Sequence, residues 1–222
     1  MGTRPSEDKR QLPGYLVVEG VIGVGKTSLA RLLAERFDAR LNLEAVEENP
    51  FLAGFYADPA RYAFQTQMFF LLSRFRQQQE LLQGELFQRR VVGDYHFAKD
   101  LIFANITLSD EELSLYKQVA GVLAPRVPRP ELVIYLQASV ESLLERIARR
   151  GRRMEKDIEP RYLATLAEAY NHYFFHYRES PLLVVNTDNV NFVAHPEHFE
   201  DLVRRILTPF EGTLYYVPNW ER

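Results

Sequence analysis

Tyr15-Leu-Val-Val-Glu-Gly20-Val-Ile-Gly-Val-Gly25-Lys26-Thr27 decides how the rest of this chain is read. Its first half is a short β-branched run that ends in glycine, the pattern of a buried parallel strand. Its second half satisfies G-x-x-x-x-G-K-[ST]. The glycines let the backbone curl so that successive N–H groups point at phosphate oxygens, and a following helix adds its partial positive N-terminus there. Lys26 is positioned by this motif for the β- and γ-phosphates, and Thr27 for a hydroxyl on Mg²⁺. Thr27 to Phe37 carries apolar residues at 29, 30, 32, 33 and 37, one stripe of a helix. Strand, glycine loop and helix occur in the order that the motif requires, so a nucleoside triphosphate site is expected, with Gly20, Gly23, Gly25, Lys26, Thr27 and Ser28 around the phosphates.

Working outward, further strands are expected at Leu41 to Val46, Arg90 to Asp94, Leu132 to Leu136 and Leu182 to Asn186. Helical patterns separate them, at Tyr62 to Leu82, Val140 to Arg150 and Arg161 to Arg178. Strands alternating with helices imply right-handed crossovers, hence an α/β fold with a five-stranded parallel sheet flanked by helices. Leu214 to Val217 is a candidate edge strand outside that count. Residues 1–13 read as a loose polar leader and 14–222 as one domain. The 222 residues suit a single core. A net charge of -3 offers no global field to attract nucleic acid. With no cysteine, disulfides, thiolate-bound zinc and cysteine nucleophiles are excluded, and a reducing cytoplasm is the expected location. The apolar run Met68–Leu72 is far too short to cross a bilayer.

Beyond the phosphate loop, four stretches carry chemistry. The second strand ends in Glu44-Ala-Val46, leading to Asn49-Pro50 and Phe55-Tyr56. A carboxylate at the C-terminal edge of a parallel strand lies where ligands collect in such sheets, and it can accept the proton of an attacking hydroxyl; Glu47 and Glu48 compete for that role. Gln67 and Arg74 are seven apart on one helix, two turns along one face, and a carboxamide can donate and accept side by side. The third strand ends in Asp94-Tyr95-His96, with Lys99, Asp100 and Phe103 beyond it. On a helix beginning at Asp94, Lys99 would return to the face of Tyr95. Last comes Arg146-Ile-Ala-Arg-Arg150-Gly-Arg152-Arg-Met-Glu155, a basic run that on composition alone reads as a solvated helix end favoured by the helix dipole.

In combination these motifs resemble the deoxynucleoside kinases, from Tyr15 to about Asp188. The resemblance implies transfer of the ATP γ-phosphate to the 5′-hydroxyl of a deoxynucleoside, with Mg²⁺, in a homodimer. By that resemblance Glu44 is the base and Tyr56 and Glu155 hold the sugar 3′-hydroxyl. Gln67, Arg74 and Phe103 meet the nucleobase, and Asp94 holds the metal through water. Arg146, Arg150 and Arg152 belong to a lid spanning about 146–157. The family's usual arginine after the acidic residue is replaced by Tyr95, and Lys99 is expected to supply the missing charge. The Asp94–Phe103 segment is one residue short of the usual length, so either Lys99 or Asp100 faces the base. D-Y-H-x-x-K looks like the bacterial deoxyguanosine kinase branch, which favours deoxyguanosine, with deoxyadenosine and deoxycytidine as alternatives. Two rival activities are a nucleoside monophosphate kinase, which needs a cationic acceptor pocket, and a nucleotide-dependent switch, for which no D-x-x-G follows a strand. His172 and His176, at i and i+4, read as helix-surface residues. Tyr170, Tyr173, Phe174, Phe175 and Tyr177 read as packing.

Overall fold

The computed structural model describes residues 13–45, 48–84, 90–152, 155 and 158–218. The expected leader therefore lies almost wholly outside the described residues, as do Val46, Glu47 and Met154. A six-stranded parallel sheet runs in the order β2-β3-β1-β4-β5-β6. Its strands are β1 (Tyr15–Gly20), β2 (Arg40–Asn42), β3 (Val91–Gly93), β4 (Leu132–Gln137), β5 (Leu182–Asn186) and β6 (Thr213–Tyr216). Five strands were expected; the sixth forms because Leu182 to Val185 offer a free edge that Thr213 to Tyr216 pair with in register.

The helices are α1 (Lys26–Phe37), α2 (Leu52–Ala57), α3 (Pro59–Gly84), α4 (Lys99–Thr107), α5 (Asp110–Leu123), α6 (Val140–Arg150), α7 (Pro160–His176) and α8 (Pro196–Leu207). The chain leaves β1 toward β2 and later returns to β4 on the other side, so right-handed crossovers put helices on both faces. The reversal opens a crevice at the C-terminal ends of the strands around β1. The central strands are mainly apolar: Leu16, Val17, Val18, Ile134, Leu136, Leu183 and Val185 are all inaccessible to solvent. Their stripes pack against Leu29, Leu33 and Phe37 of α1 and against Leu163, Leu166 and Tyr170 of α7.

Two of the boundaries that differ from expectation shape the crevice. β2 ends at Asn42 rather than Val46, because its partner β3 stops at Gly93, where the chain turns aside at Asp94. Glu44 therefore stands in a loop beyond the sheet. The stretch after Asp94 is a turn, and α4 begins only at Lys99, so no helix starts at Asp94. The phosphate loop itself depends on glycine conformation. Gly25 caps α1 at φ 103°, a left-handed geometry. At Gly23 an added Cβ would lie 2.7 Å from Ile147, which lets α6 pack directly on the loop.

Candidate active site

Two cavities open on opposite sides of the phosphate loop. One, of about 480 Å³, lies between the loop, the segment after β2, and α3 and α4. The other, of about 970 Å³, lies between the loop, α6 and the segment after β5. Lys26, Thr27, Arg150 and Arg152 line both. Gly23, Gly25, Ser28 and Arg146 line only the larger. Glu44, Tyr56, Gln67, Arg74, Asp94, Lys99, Phe103 and Glu155 line only the smaller. Gly20 sits at the base of the loop, where its carbonyl accepts from Lys26 Nζ at 2.8 Å. Burial, and next the Lys99 charge, bring the Lys26 ammonium down to about 8.

Glu44 is the centre of the smaller cavity's charge. Arg74 donates to its Oε1, and Lys99 Nζ donates to its Oε2 at 2.6 Å. Burial alone would raise this carboxyl, but Arg74 and then Lys99 hold it well below the usual carboxylate range. It is consequently a weak proton acceptor and a strong hydrogen-bond acceptor. Its backbone N–H donates to Asp94 Oδ1 at 2.8 Å, and Thr27 Oγ1 donates to Asp94 Oδ2 at 2.5 Å. Asp94 thus joins α1 to the loop after β2, and an all-oxygen pair, Thr27 and Asp94, faces the phosphate end of the cavity.

At the opposite end, α3 brings Gln67 and Arg74 to one face, both buried. Phe70, between them at helical spacing, lines the same wall and stacks its ring 4.6 Å from the Arg74 guanidinium. Phe70 has no part in the sequence expectations, although its i+3 position from Gln67 is a signal of a shared face. Asp100 does not line the cavity. It is buried behind Arg74, to which it is ion-paired, while Lys99 faces the cavity. Asp100 Oδ2 and Arg74 Nε have no hydrogen-bond partner among the described residues. Phe103 forms the neighbouring wall, edge-on to Tyr170 at 6.2 Å. Gln65 points to solvent and takes no part.

Tyr95 does not reach the cavity. Its ring is wholly buried, with the Arg74 guanidinium 5.9 Å from the ring centre and Asn42 Nδ2 donating to its hydroxyl at 3.4 Å. Near the shared boundary, Arg150 and Arg152 pair with the buried Glu155 carboxylate, Arg152 at 3.7 Å. Burial, then the Glu155 charge, push the Tyr56 hydroxyl up to about 12. Arg146 lines the larger cavity beside the phosphate loop. Its guanidinium donates to the carbonyls of Val24 and Thr187 and to Thr187 Oγ1, bracing the phosphate loop against the segment after β5.

The histidines are more structured than their scatter in sequence implies. His172 and His176 are exposed on α7, as expected, with His176 Nδ1 2.9 Å from the His172 carbonyl. By contrast, His195, Glu197 and His198 bring ligand-type atoms within 4.8 Å of one another at the rim of the larger cavity. His198 Nδ1, however, accepts from the Asn191 N–H at 3.2 Å, which ties that ring to the loop. Phe175 is exposed, whereas Tyr170, Phe174 and Tyr177 belong to the core. One further residue went unread: Glu19, a carboxylate wholly buried within the otherwise apolar β1.

A loop built for a triphosphate, a cavity on either side of it and cations at the seam form an arrangement suited to passing a phosphoryl group from one bound molecule to another. Comparison with known proteins agrees. Residues 16–210 match the profile of the deoxynucleoside kinases. The chain is 36% identical over 197 residues to the deoxyguanosine kinase of Bacillus subtilis (strain 168), covering 86% of this chain and 95% of that protein. It is 37% identical over 169 residues to a deoxyadenosine kinase of Dictyostelium discoideum, covering 74% and 69%. The solved structure of deoxyadenosine kinase from M. mycoides with bound dCTP has a TM-score of 0.76 at 22% identity, covering 86% of this chain and 98% of that one, a likeness of fold. The chain belongs to the deoxynucleoside kinase family and is an ATP-dependent kinase.

Proposed function

We propose that the deoxynucleoside phosphorylated here is deoxyguanosine, with ATP in the larger cavity and the nucleoside in the smaller. The observation that carries this reading is the polar cluster at the end of the smaller cavity. Arg74 suits the O6/N7 acceptor edge of guanine, while the Gln67 carboxamide suits its N–H groups. Asp100, ion-paired to Arg74 from behind, orients that guanidinium. Similarity to the Bacillus subtilis deoxyguanosine kinase supports the same base.

Glu44 accepts a hydrogen bond from the 5′-hydroxyl and aims its lone pair at the γ-phosphorus. In a loose transition state the hydroxyl proton becomes acidic only as the new P–O bond forms, so a carboxylate of low basicity suffices to take it. The phosphoryl group moves from the ATP β-phosphate oxygen to the 5′-oxygen, leaving ADP. Lys26, Arg150 and Arg152 border both cavities and offset the charge that spreads over the equatorial oxygens. Lys99 supplies the cation that Tyr95 lacks, from the acceptor side. Tyr56 and Glu155 hold the 3′-hydroxyl. Thr27 and Asp94 are the residues that would hold Mg²⁺, as the hard-oxygen character of the pair suits that ion. Bound there, its charge would offset that of the β- and γ-phosphates.

We read the assembly as a homodimer. Leu72 of α3 and Leu115 and Val122 of α5 are large apolar residues left 46%, 50% and 63% exposed, which supports a partner on that side. The cysteine-free composition suits the cytoplasm, the location we assign. No helix among the described residues is long and apolar enough to cross a membrane.

The test is a panel of the four deoxynucleosides and their 5′-monophosphates with Mg·ATP. The expected result is the highest kcat/KM for deoxyguanosine and no transfer to monophosphates. A preference for deoxyadenosine or deoxycytidine would overturn the base assignment, and transfer to monophosphates alone would overturn the acceptor.

A further inference from the structure

We propose that Glu19 is a positioning residue, whose buried carboxylate locks the phosphate loop to the turn that carries Asp94 and Lys99 and to the helix behind the nucleoside cavity. β1 is apolar except at this position, and Glu19 is wholly inaccessible to solvent. A carboxylate taken out of water costs several kcal/mol unless its lone pairs are satisfied, so its neighbours define its role. Those neighbours come from three separate parts of the fold. Oε1 accepts from the Gly20 N–H at 2.8 Å, the first amide of the phosphate loop. Oε2 accepts from the His96 N–H at 2.7 Å, in the turn after β3. The Tyr170 hydroxyl, from α7, donates to Oε1 at 3.3 Å.

Each bond leads to a working part of the site. The His96 bond fixes the turn between Asp94 and Lys99. That turn is held again when His96 Nδ1 accepts from the Ala98 N–H at 3.2 Å, one residue before α4 begins. Lys99 then reaches Glu44. The Tyr170 bond orients the ring that stands edge-on to Phe103, a wall of the nucleoside cavity. The Gly20 bond fixes the residue whose carbonyl receives Lys26. Burial raises the Glu19 carboxyl above its ordinary value, and the Lys99 charge and then the Lys26 charge oppose that shift. All three hydrogen-bond partners are donors, so the site calls for an acceptor on both oxygens. A glutamine offers only one acceptor oxygen; its NH₂ would face an N–H and push either the phosphate loop or the Asp94–Lys99 turn away.

This inference rests on Lys99 being a cation of the transfer step, as read above. The experiment is a double-mutant cycle of E19Q and K99M, with kcat, both KM values and the melting temperature measured for each protein with Mg·ATP and deoxyguanosine. E19Q is expected to lower kcat about tenfold or more, as small misplacements of catalytic groups do, with both KM values within about threefold of the parent. In the K99M background the same substitution is expected to lower kcat by no more than about threefold, since the group that it misplaces is gone. Losses that multiply independently, or an E19Q protein with full turnover, would overturn the role of Glu19. A K99M protein with full turnover would instead overturn the reading of Lys99. Should E19Q fail to fold, Y170F removes one donor and leaves the carboxylate in place. A rise of about threefold in the KM for deoxyguanosine, with the KM for ATP unchanged, then supports the inference, and unchanged kinetics overturn it.

Discussion

Lys99 Nζ donates to Glu44 Oε2 at 2.6 Å, bringing the first residue of α4 onto the loop beyond β2. The two residues are far apart in sequence and meet because both β2 and β3 stop early. With Tyr95 wholly buried, Lys99 is the positive group that the turn after β3 presents to the cavity. We expect Lys99→Met to reduce kcat about a hundredfold, the usual effect of removing one charge-stabilising donor from a closed site. Lys99→Arg should recover part of the loss. Steady-state kinetics with Mg·ATP and saturating deoxyguanosine would show it.

Glu44→Gln should abolish transfer while the chain stays folded, at a stability cost on the order of 3 kcal/mol for leaving buried cations short of a partner. Denaturant unfolding beside a turnover assay separates the two effects.

The pH dependence follows from the direction of the Glu44 shift. A depressed carboxyl contributes stability that is complete above its unfolded pKa, about 4.3, and is lost only as pH falls through the lower folded value. Wild-type kcat should therefore show no acid limb from this group between about pH 5 and 7. Burial raises the carboxyl, and Arg74 is the largest influence opposing that. Arg74→Met should move the carboxyl upward and bring an acid limb into that range. A pH profile of kcat that is equally flat in the variant would contradict the geometry.

Gln67→Leu leaves one edge of the bound base unpaired in a buried pocket. It should raise the KM for deoxyguanosine by about 5- to 150-fold, corresponding to about 1–3 kcal/mol, and leave the dissociation constant for ATP nearly unchanged. Titration calorimetry with each ligand tests both halves.

Lys26, with its ammonium brought down to about 8, is protonated below that pH and neutral above it. ATP binding to the free protein should weaken as pH rises through about 8, and Lys99→Met, by removing the like charge that depresses the ammonium, should move that break upward. Fluorescence titration of ATP across the pH range would detect the change. Lys26→Ala should lose most of the thermal stabilisation that saturating ATP gives the parent protein, about 2.7 kcal/mol at a hundredfold excess over Kd.

Much of this site was legible because short segments carry it whole. The phosphate loop needs its glycines, lysine and threonine consecutively, since each successive N–H faces the same anion. Gln67 and Arg74 share a face because helical periodicity places them there. Phe70 shares that periodicity, but a core role explains an apolar residue there equally well. Asp100, by contrast, could not be told from Lys99. Which of two adjacent side chains faces the cavity depends on where α4 starts, and that start is fixed by the turn at Asp94–Ala98 rather than by the pattern within the helix.

By itself, then, the amino-acid order determined the alternation of strands and helices, the triphosphate loop and the residue types on α3 and α6, all of which depend on neighbours a few positions apart. Tertiary structure decided where β2 and β3 end, which arginine braces the loop and which meets Glu155, and that Glu19 sits beneath the phosphate loop bonded to three separate segments. Those outcomes depend on which distant groups can satisfy a buried charge, a matter of spatial packing that no local periodicity records.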